Sequence, residues 1–273
     1  MLIKNWRELC DVVVLTGDLD PLYDFAVKAK NAKYQGELWT NRFVVHLLTF
    51  YDVGGAVQAA DMTTEGSFWD YVIANYDEFP RGTNRRHSRG DIGRKYVKNC
   101  EKIGTPTVFL EEAWAPNYTA LVKKMESQFQ GCGYGPYFIW KVMDYQDRVL
   151  GRPVQLLLHE AIKHMPDEAR KGAILLWPKV PLQDVLTAVV QQMWKHPAPG
   201  LANRTCGFSE AETMLCALRG WYNGDYQVGQ DLLERHRQLK SSPQYRQYLK
   251  PVPMTPYERT NPLDTAALSA GLA

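Results

Sequence analysis

No stretch of this sequence approaches the roughly eighteen uninterrupted apolar residues that cross a bilayer. The first eleven residues carry Lys4, Arg7 and Glu8 and hold no apolar core of a secretory leader. The expected location is the cytoplasm, with no membrane partner. Cysteine is scarce as well: Cys10, Cys100, Cys132, Cys206 and Cys216 are odd in number, and no pair has C-x-x-C spacing. That argues against a disulfide framework or a zinc ribbon and for reduced, mostly buried thiols. Charge of one sign is missing, because 32 Lys and Arg stand against 30 Asp and Glu, for a net charge of +2. Overall charge therefore names no partner, and local clustering has to. There is no internal repeat and no low-complexity tract.

What is present is apolar and aromatic. Eight tryptophans, fifteen tyrosines and nine phenylalanines among 273 residues exclude a disordered chain. At roughly 150 residues per domain the length fits one large or two small domains. We expect a single helical domain over residues 1–240, with lobes of about 1–130 and 131–240 as the alternative. An extended tail would follow at 241–273, rich in proline and polar residues.

The apolar spacing is mostly helical. Thr40 is placed to cap a helix from Asn41 to Asp52, which Gly54-Gly55 interrupts before Ala56 to Met62 resumes it. Ser67 opens a short helix to about Tyr76. A helix runs from Asn117 to Phe129, and another from Pro136 to Leu150, stopped by Gly151. That second helix carries Phe138, Val142, Tyr145 and Val149 on one face and Lys141, Asp144 and Arg148 on another. Further helices are expected from Val154 to His164, from Pro181 with Leu182, Val185, Leu186, Val189, Val190 and Met193 at helical spacing, and from Val228 to Leu239. Ser209-Glu210-Ala211-Glu212 reads as a capping box, which accounts for Glu212. Strand candidates are few: Val12–Leu15, Thr107–Leu110 and Ala173–Trp177. The fold class is all-α, with at most a minor β element.

Three features carry chemistry. From Pro80 to Lys98 lie seven basic residues, Arg81, Arg85, Arg86, Arg89, Arg94, Lys95 and Lys98, with Asp91 the one acid. Arginine forks hold phosphate oxygens bidentately, and the neighbouring glycines let backbone approach a polyanion. The plainer reading is a solvated helix face. Next, Gly131-Cys132-Gly133-Tyr134-Gly135-Pro136 joins two helices. It reads either as an ordinary turn or as a helix-hairpin-helix element whose exposed N–H groups hold a DNA phosphate without reading sequence. Last, Lys141, Asp144 and Arg148 form either a salt-bridge ladder or a site with a carboxylate near bound phosphate. Other chemistries find no support. No Gly-Lys-Ser/Thr follows the glycines, so there is no P-loop, and no Gly-x-Ser-x-Gly elbow occurs. His159 and His164 are five apart rather than four, which disfavours zinc. His46 lies in an apolar run and reads as a core histidine.

Four blocks occur in order: Asn41-Arg42; Pro80-Arg81-Gly82 through Arg85-Arg86-His87-Ser88-Arg89-Gly90; Gly133-Tyr134-Gly135-Pro136 through Lys141, Asp144 and Arg148-Val149-Leu150-Gly151; and Glu210-Ala211-Glu212-Thr213-Met214-Leu215-Cys216. Together, over about residues 40 to 230, they resemble the phage amino acid:DNA transferase family, also called alpha-glutamyl/putrescinyl thymine pyrophosphorylases. The resemblance implies a fold related to the helix-hairpin-helix DNA glycosylases. It also implies a transferase that displaces pyrophosphate from 5-pyrophosphoryloxymethyl-uracil in DNA with the amine of an amino acid, glycine or glutamate, or of a polyamine. Its partners would be double-stranded DNA carrying the modified thymine, reached by base flipping, and a small amine donor, in a host cell's cytoplasm. No cofactor is required, and magnesium enters only alongside pyrophosphate.

On this resemblance Arg81, Arg85, Arg86 and Arg89, with Lys141, serve pyrophosphate or DNA. Gly133 and Gly135 hold the DNA backbone, and His87 or Asp144 is the general base. Arg42 takes the carboxylate of an amino-acid donor. One departure separates the chain from the glycosylases. Where they carry a catalytic aspartate, some twenty residues past the hairpin, this chain reads Gly151-Arg152-Pro153-Val154-Gln155-Leu156. The alternatives are a glycosylase-like or non-catalytic DNA binder, or a helical scaffold whose arginines meet a protein.

Overall fold

A computed structural model describes residues 2–32, 36–82, 90–129, 135–254 and 257–259. Among these the chain is mainly helical. In chain order come β1 (Leu2–Ile3), α1 (Trp6–Thr16), α2 (Pro21–Ala32), α3 (Gly36–Phe50), α4 (Val53–Met62), α5 (Phe68–Ala74), α6 (Gly90–Glu101), α7 (Pro106–Glu112), α8 (Tyr118–Gln128) and α9 (Pro136–Arg148). There follow α10 (Leu158–His164), α11 (Asp167–Leu176), α12 (Leu182–Met193), β2 (Pro197–Ala198), β3 (Leu201–Thr205), α13 (Phe208–Asn223), α14 (Gln230–Gln238) and β4 (Glu258–Arg259). None of the described helices is long and apolar enough to cross a membrane. The chain divides into two compact units, one of Met1–Pro21, Leu156–Glu234 and Leu249–Ala273, the other of Leu22–Gln155 and Arg235–Tyr248.

The second unit is built on α3, which is buried from Trp39 to Phe50. It packs against α4, α7 and α9. Thr40 does not begin this helix. It sits inside it, and its hydroxyl donates to the Gly36 carbonyl at 2.9 Å. The helix starts five residues earlier than expected, at Gly36, and its buried face continues back to Trp39. Nor do Gly54 and Gly55 interrupt a helix. Asp52 caps α4, accepting from the Gly55 N–H at 2.8 Å, and both glycines lie in the first turn. A β-carbon at Gly54 would overlap the Gln238 carbonyl oxygen, so the close approach of two backbones requires glycine there. Ring stacking extends this core: Trp39 lies 5.1 Å from Phe43 and 6.2 Å from Tyr245. Both Trp39 and Tyr245 donate to Asp61. Tyr245 belongs to the short 3-10 helix Pro243–Tyr248 and is buried.

In the first unit, α11 packs along α13 and α12, and α1 packs on α12 and α13. Gly172 of α11 rests on the Leu215 carbonyl of α13, where a β-carbon would collide with it. The β structure is minor. β1 pairs in parallel with β4, and β2 pairs antiparallel with β3.

All three strand candidates are helical. Val12–Leu15 lies in α1, Thr107–Leu110 in α7, and Ala173–Trp177 falls on the end of α11 and its C-cap. A β-branched residue costs a helix only a few tenths of a kcal/mol. Caps worth about 1 kcal/mol override that. The Asn5 side chain accepts from Glu8 N–H at 3.0 Å, and Gly17 ends α1 at φ 77°; Thr105 caps α7 with Pro106 behind it.

Three other boundaries move. Val154 to Leu157 is not helical, because Gln155 is held extended by Tyr118 N–H to Gln155 O and Gln155 N–H to Pro116 O, both at 2.9 Å. α14 covers Gln230–Gln238 and passes into a 3-10 turn, Leu239–Ser241. The cap of α13 is Gly207, whose N–H donates to Glu210 at 2.7 Å. Ser209 and Glu212 are therefore inside the helix, and capping does not account for the buried Glu212. The helices from Asn117 and from Pro181 start where expected.

Candidate functional site

The clearest cluster of charged groups lies on α9. That helix is amphipathic in sequence but buried nearly all round. Spacing of three and four residues puts Lys141 and Arg148 on either side of Asp144. Lys141 Nζ donates to Asp144 Oδ2 at 3.1 Å, and Arg148 Nη2 donates to Asp144 Oδ1 at 3.2 Å. The ladder is real, yet it is no surface ornament: Asp144 is 1% exposed, Lys141 3% and Arg148 1%. A third donor comes from α2, where Tyr23 Oη reaches Asp144 Oδ2 at 3.0 Å. The Arg148 guanidinium stacks over the Tyr23 ring at 4.3 Å, a geometry that suits a planar cation. Tyr145 closes the cluster with its ring 5.2 Å from that of Tyr23. Both oxygens of Asp144 thus accept from this chain's own donors. Nothing in the local sequence marked Tyr23, which lies 121 positions away.

Arg42 and Arg81 have separate surroundings. Arg42 is buried on α3. Its Nη2 donates to the Ala60 carbonyl at 3.0 Å, and its Nη1 lies 3.7 Å from Glu65. Burial pulls its pKa below the usual arginine value, while Glu65 and Asp61 hold it up. Its neighbour Asn41 donates to Thr107 at 2.9 Å. The Arg81 guanidinium donates to the Phe79 carbonyl at 2.7 Å and the Tyr76 carbonyl at 2.9 Å. It stacks over the rings of Tyr76 at 4.6 Å and Phe50 at 5.1 Å. Downstream in the basic run, Arg94 on α6 pairs with Asp77 and faces Tyr76 at 5.6 Å. Arg85, Arg86, His87, Arg89 and Gly133 lie outside the described residues. Gly135 is the N-cap of α9, with open space where a side chain would project.

His46 is indeed a core histidine. It is fully buried between Phe50 and Phe79, at 4.6 and 4.5 Å, and neither ring nitrogen has a hydrogen-bond partner. Burial, then the Arg81 charge, lowers its pKa to about 3. It is neutral near pH 7 and no proton carrier there. Among the described residues Cys10, Cys100, Cys206 and Cys216 are not in disulfides, and the first three are buried.

The first unit holds the remaining block. Arg204 forks onto Glu210 at 2.8 and 3.2 Å. Thr213 donates to Asp20 at 2.8 Å, and Glu212 is buried beside Thr213 and Cys216. Asp11 gathers three donors: Gln192 at 2.9 Å, Lys195 at 2.9 Å and His196 at 3.0 Å. Burial pushes its carboxyl up, but these hydrogen bonds outweigh burial and leave the pKa below 3.8. A depressed pKa stabilises the fold above the unfolded value, and the benefit fades as pH falls through the folded value. The melting-temperature gap between wild type and Asp11→Asn is therefore expected to be constant near neutrality and to close below pH 3.8. A gap that persists unchanged at pH 2 would refute the pairing.

Comparison with known proteins identifies the family of the chain. The family model described as "Amino acid:DNA transferase" matches residues 14–226. A putrescinyltransferase of Delftia phage PhiW-14 is 33% identical over 250 residues, covering 86% of this chain and 78% of the relative. A glycinyltransferase of Pseudomonas phage PaMx11 is 24% identical over 251 residues, covering 80% of this chain and 84% of the relative. The match spans both units and takes in all four sequence blocks: the chain belongs to the amino acid:DNA transferase family.

Proposed function

We propose that this protein is a DNA hypermodification transferase acting on phage DNA, and that it replaces pyrophosphate on a 5-pyrophosphoryloxymethyl-uracil base with an amine. Membership of the amino acid:DNA transferase family over residues 14–226 is the observation that carries the reading. In the reaction a neutral amine nitrogen attacks the exocyclic methylene carbon. The C–N bond forms, the C–O bond to pyrophosphate breaks, and the leaving group departs with the bonding pair. A base takes the proton lost by the amine. The glycosidic bond is untouched.

The chain's residues divide this work. Arg81, Arg85, Arg86 and Arg89 receive the charge that develops on pyrophosphate or bind the DNA backbone. His87 is the base in this reading, since both Asp144 oxygens already accept from Tyr23, Lys141 and Arg148. Gly133 and Gly135 meet a DNA phosphate at the start of α9. The donor is a polyamine rather than an amino acid. Two facts support that choice: Arg42 already faces the chain's own Glu65, and the 33% relative is a putrescinyltransferase. No cofactor is needed, and magnesium enters as a counter-ion of pyrophosphate.

The test mixes the protein with duplex DNA carrying pyrophosphorylated 5-hydroxymethyluracil and with putrescine, glycine or glutamate in turn. Nucleosides are then weighed by mass spectrometry. A nucleoside in which putrescine has replaced the pyrophosphate, with pyrophosphate released, is the expected result, and Arg86→Ala is expected to slow release about 100- to 1000-fold. Unchanged nucleosides would overturn the transfer reading. Free base would show a glycosylase, and a glycine or glutamate product would restore Arg42 as a carboxylate site.

A further inference from the structure

α6 carries opposite chemistry on its two sides. Gly93, Val97 and Cys100 are buried, at spacings of four and three that line one side of the helix. Lys95 and Lys98 are exposed on the other side. Lys102 is exposed one residue past the end of α6, and its N–H still donates to the Lys98 carbonyl at 3.4 Å, so it continues their row. Neighbouring helices fix this support in place. Tyr96 meets Phe138 in the first turn of α9 at 6.1 Å, and Trp69 Nε1 donates to the Gly104 carbonyl just after α6 at 2.7 Å.

The row is poorly designed for a helix that meets only water. Lys98 has like charges at Arg94, Lys95 and Lys102, three and four residues away, and such pairs destabilise a helix. Acids do not answer them. Among the described residues no carboxylate pairs with Lys95, Lys98 or Lys102. Arg94, on the flank, is neutralised by Asp77. Asp91 shares the row one turn before Lys95, where an acid suits the helix N-terminus. Glu101 lies seven residues on from Arg94, on that same flank. Past Asp91 the exposed row holds cations only. Elsewhere exposed lysines stand against acids, as Lys171 does against Glu168 at 2.8 Å and Lys195 against Asp11 at 2.9 Å.

The complement of such a row is a polyanion of regular spacing. Lys95 and Lys102 are about 10 Å apart along the helix axis, and a DNA strand passes about three phosphates in that distance. The family to which the chain belongs acts on DNA. We propose that the Lys95, Lys98 and Lys102 face of α6 is a docking surface for the phosphate backbone of duplex DNA. An ammonium is a point charge without the fork that reads a base edge. The surface therefore holds DNA without regard to sequence and leaves the choice of target to the modified base. The inference rests on the proposed reading that duplex DNA is the substrate.

The test measures binding of the full chain to two unmodified duplexes of equal length and different sequence, across a salt series. The triple variant Lys95→Gln/Lys98→Gln/Lys102→Gln is expected to bind both about 30- to 100-fold more weakly at about 0.15 M salt and to lower the salt slope by about two to three. Lys95→Arg/Lys98→Arg/Lys102→Arg keeps the charge and is expected to stay within about threefold of wild type. A control, Lys28→Gln/Lys163→Gln/Lys179→Gln, removes as much charge from other exposed positions and is expected to lose less than about threefold. A wild type that binds neither duplex would overturn the proposal, and so would a glutamine triple that binds like wild type. An equal loss in the control, a loss on one duplex only, or an arginine triple as weak as the glutamine one would overturn it too. Should the glutamine triple fail to fold, Lys98→Gln alone decides: a slope lowered by about one supports the surface, and an unchanged slope overturns it. Amine transfer is read separately by nucleoside mass. Duplex binding that follows these values without transfer would sink the transferase reading and leave this one standing, whereas transfer with an unaffected triple would do the reverse.

Discussion

Asp144→Ala is expected to lower the unfolding free energy by about 3–5 kcal/mol, the range for removing one partner of a buried ion pair. The loss is large because the carboxylate is shared. Lys141 and Arg148 both donate to it from positions 3% and 1% exposed, and Tyr23 adds a hydroxyl. Removing it strands two desolvated cations and a phenol inside α9 and α2. Tyr23→Phe takes away a single neutral donor and is expected to cost only about 1 kcal/mol. Urea unfolding of the two variants checks the pair of values. An Asp144→Ala loss below about 1 kcal/mol would mean that the cations find other partners or water. The comparison also bears on catalysis. If Tyr23→Phe leaves stability nearly intact yet changes the pH profile of transfer, Asp144 takes part in proton movement and His87 is not the sole base.

The second large effect is expected in the other unit. Asp18→Ala should cost about 3–5 kcal/mol, because one buried carboxylate satisfies three donors and each orphaned donor costs about 1–3 kcal/mol. Asp18 accepts from Gly229 N–H at 2.7 Å, from Leu232 N–H at 2.8 Å and from the Tyr226 hydroxyl. The first two lie at the start of α14, so a residue just after α1 caps a helix more than 200 positions later. Burial, then the Asp18 charge, pushes the Tyr226 hydroxyl well above its ordinary pKa and keeps it a donor. Asp18→Asn retains one acceptor oxygen and is expected to lose about 1–2 kcal/mol. Hydrogen exchange localises the effect: the amides of Gly229 and Leu232 should lose protection before those of α3. Uniform loss across the chain would contradict a local cap.

Much of this molecule was readable from short-range pattern. The helix from Pro181 followed from apolar residues at helical spacing, and α8 from Asn117 as its cap. The Lys141–Asp144–Arg148 ladder followed from separations of three and four. Each of these depends on residues within two turns of one another, where backbone geometry alone brings side chains together. The blocks that mark the family were legible for a different reason: the order and identity of their residues survive without any knowledge of packing.

Other features were illegible because their partners are distant or because burial reverses a local preference. Valines at 12 to 14 read as strand until Asn5 and Gly17 cap them into α1. Glu212 read as a cap, although Gly207 and Glu210 perform that role two residues earlier. The polar face of α9 read as a salt-bridge ladder or a site carboxylate, and nothing within α9 says that Tyr23 reaches Asp144. Arg235 sits in a highly charged helix and looks like solvated surface. Its hydrogen bond to the Tyr51 carbonyl crosses 184 positions. Residue order thus specified the helical class, the starts of α5, α8, α9 and α12, the charge ladder and the family. Packing specified which charges are buried, which donor each carboxylate receives and which turn each arginine supports. Local hydrogen bonds and side-chain periodicity act over a few residues, whereas desolvation and long-range pairing exist only once distant segments share one interior.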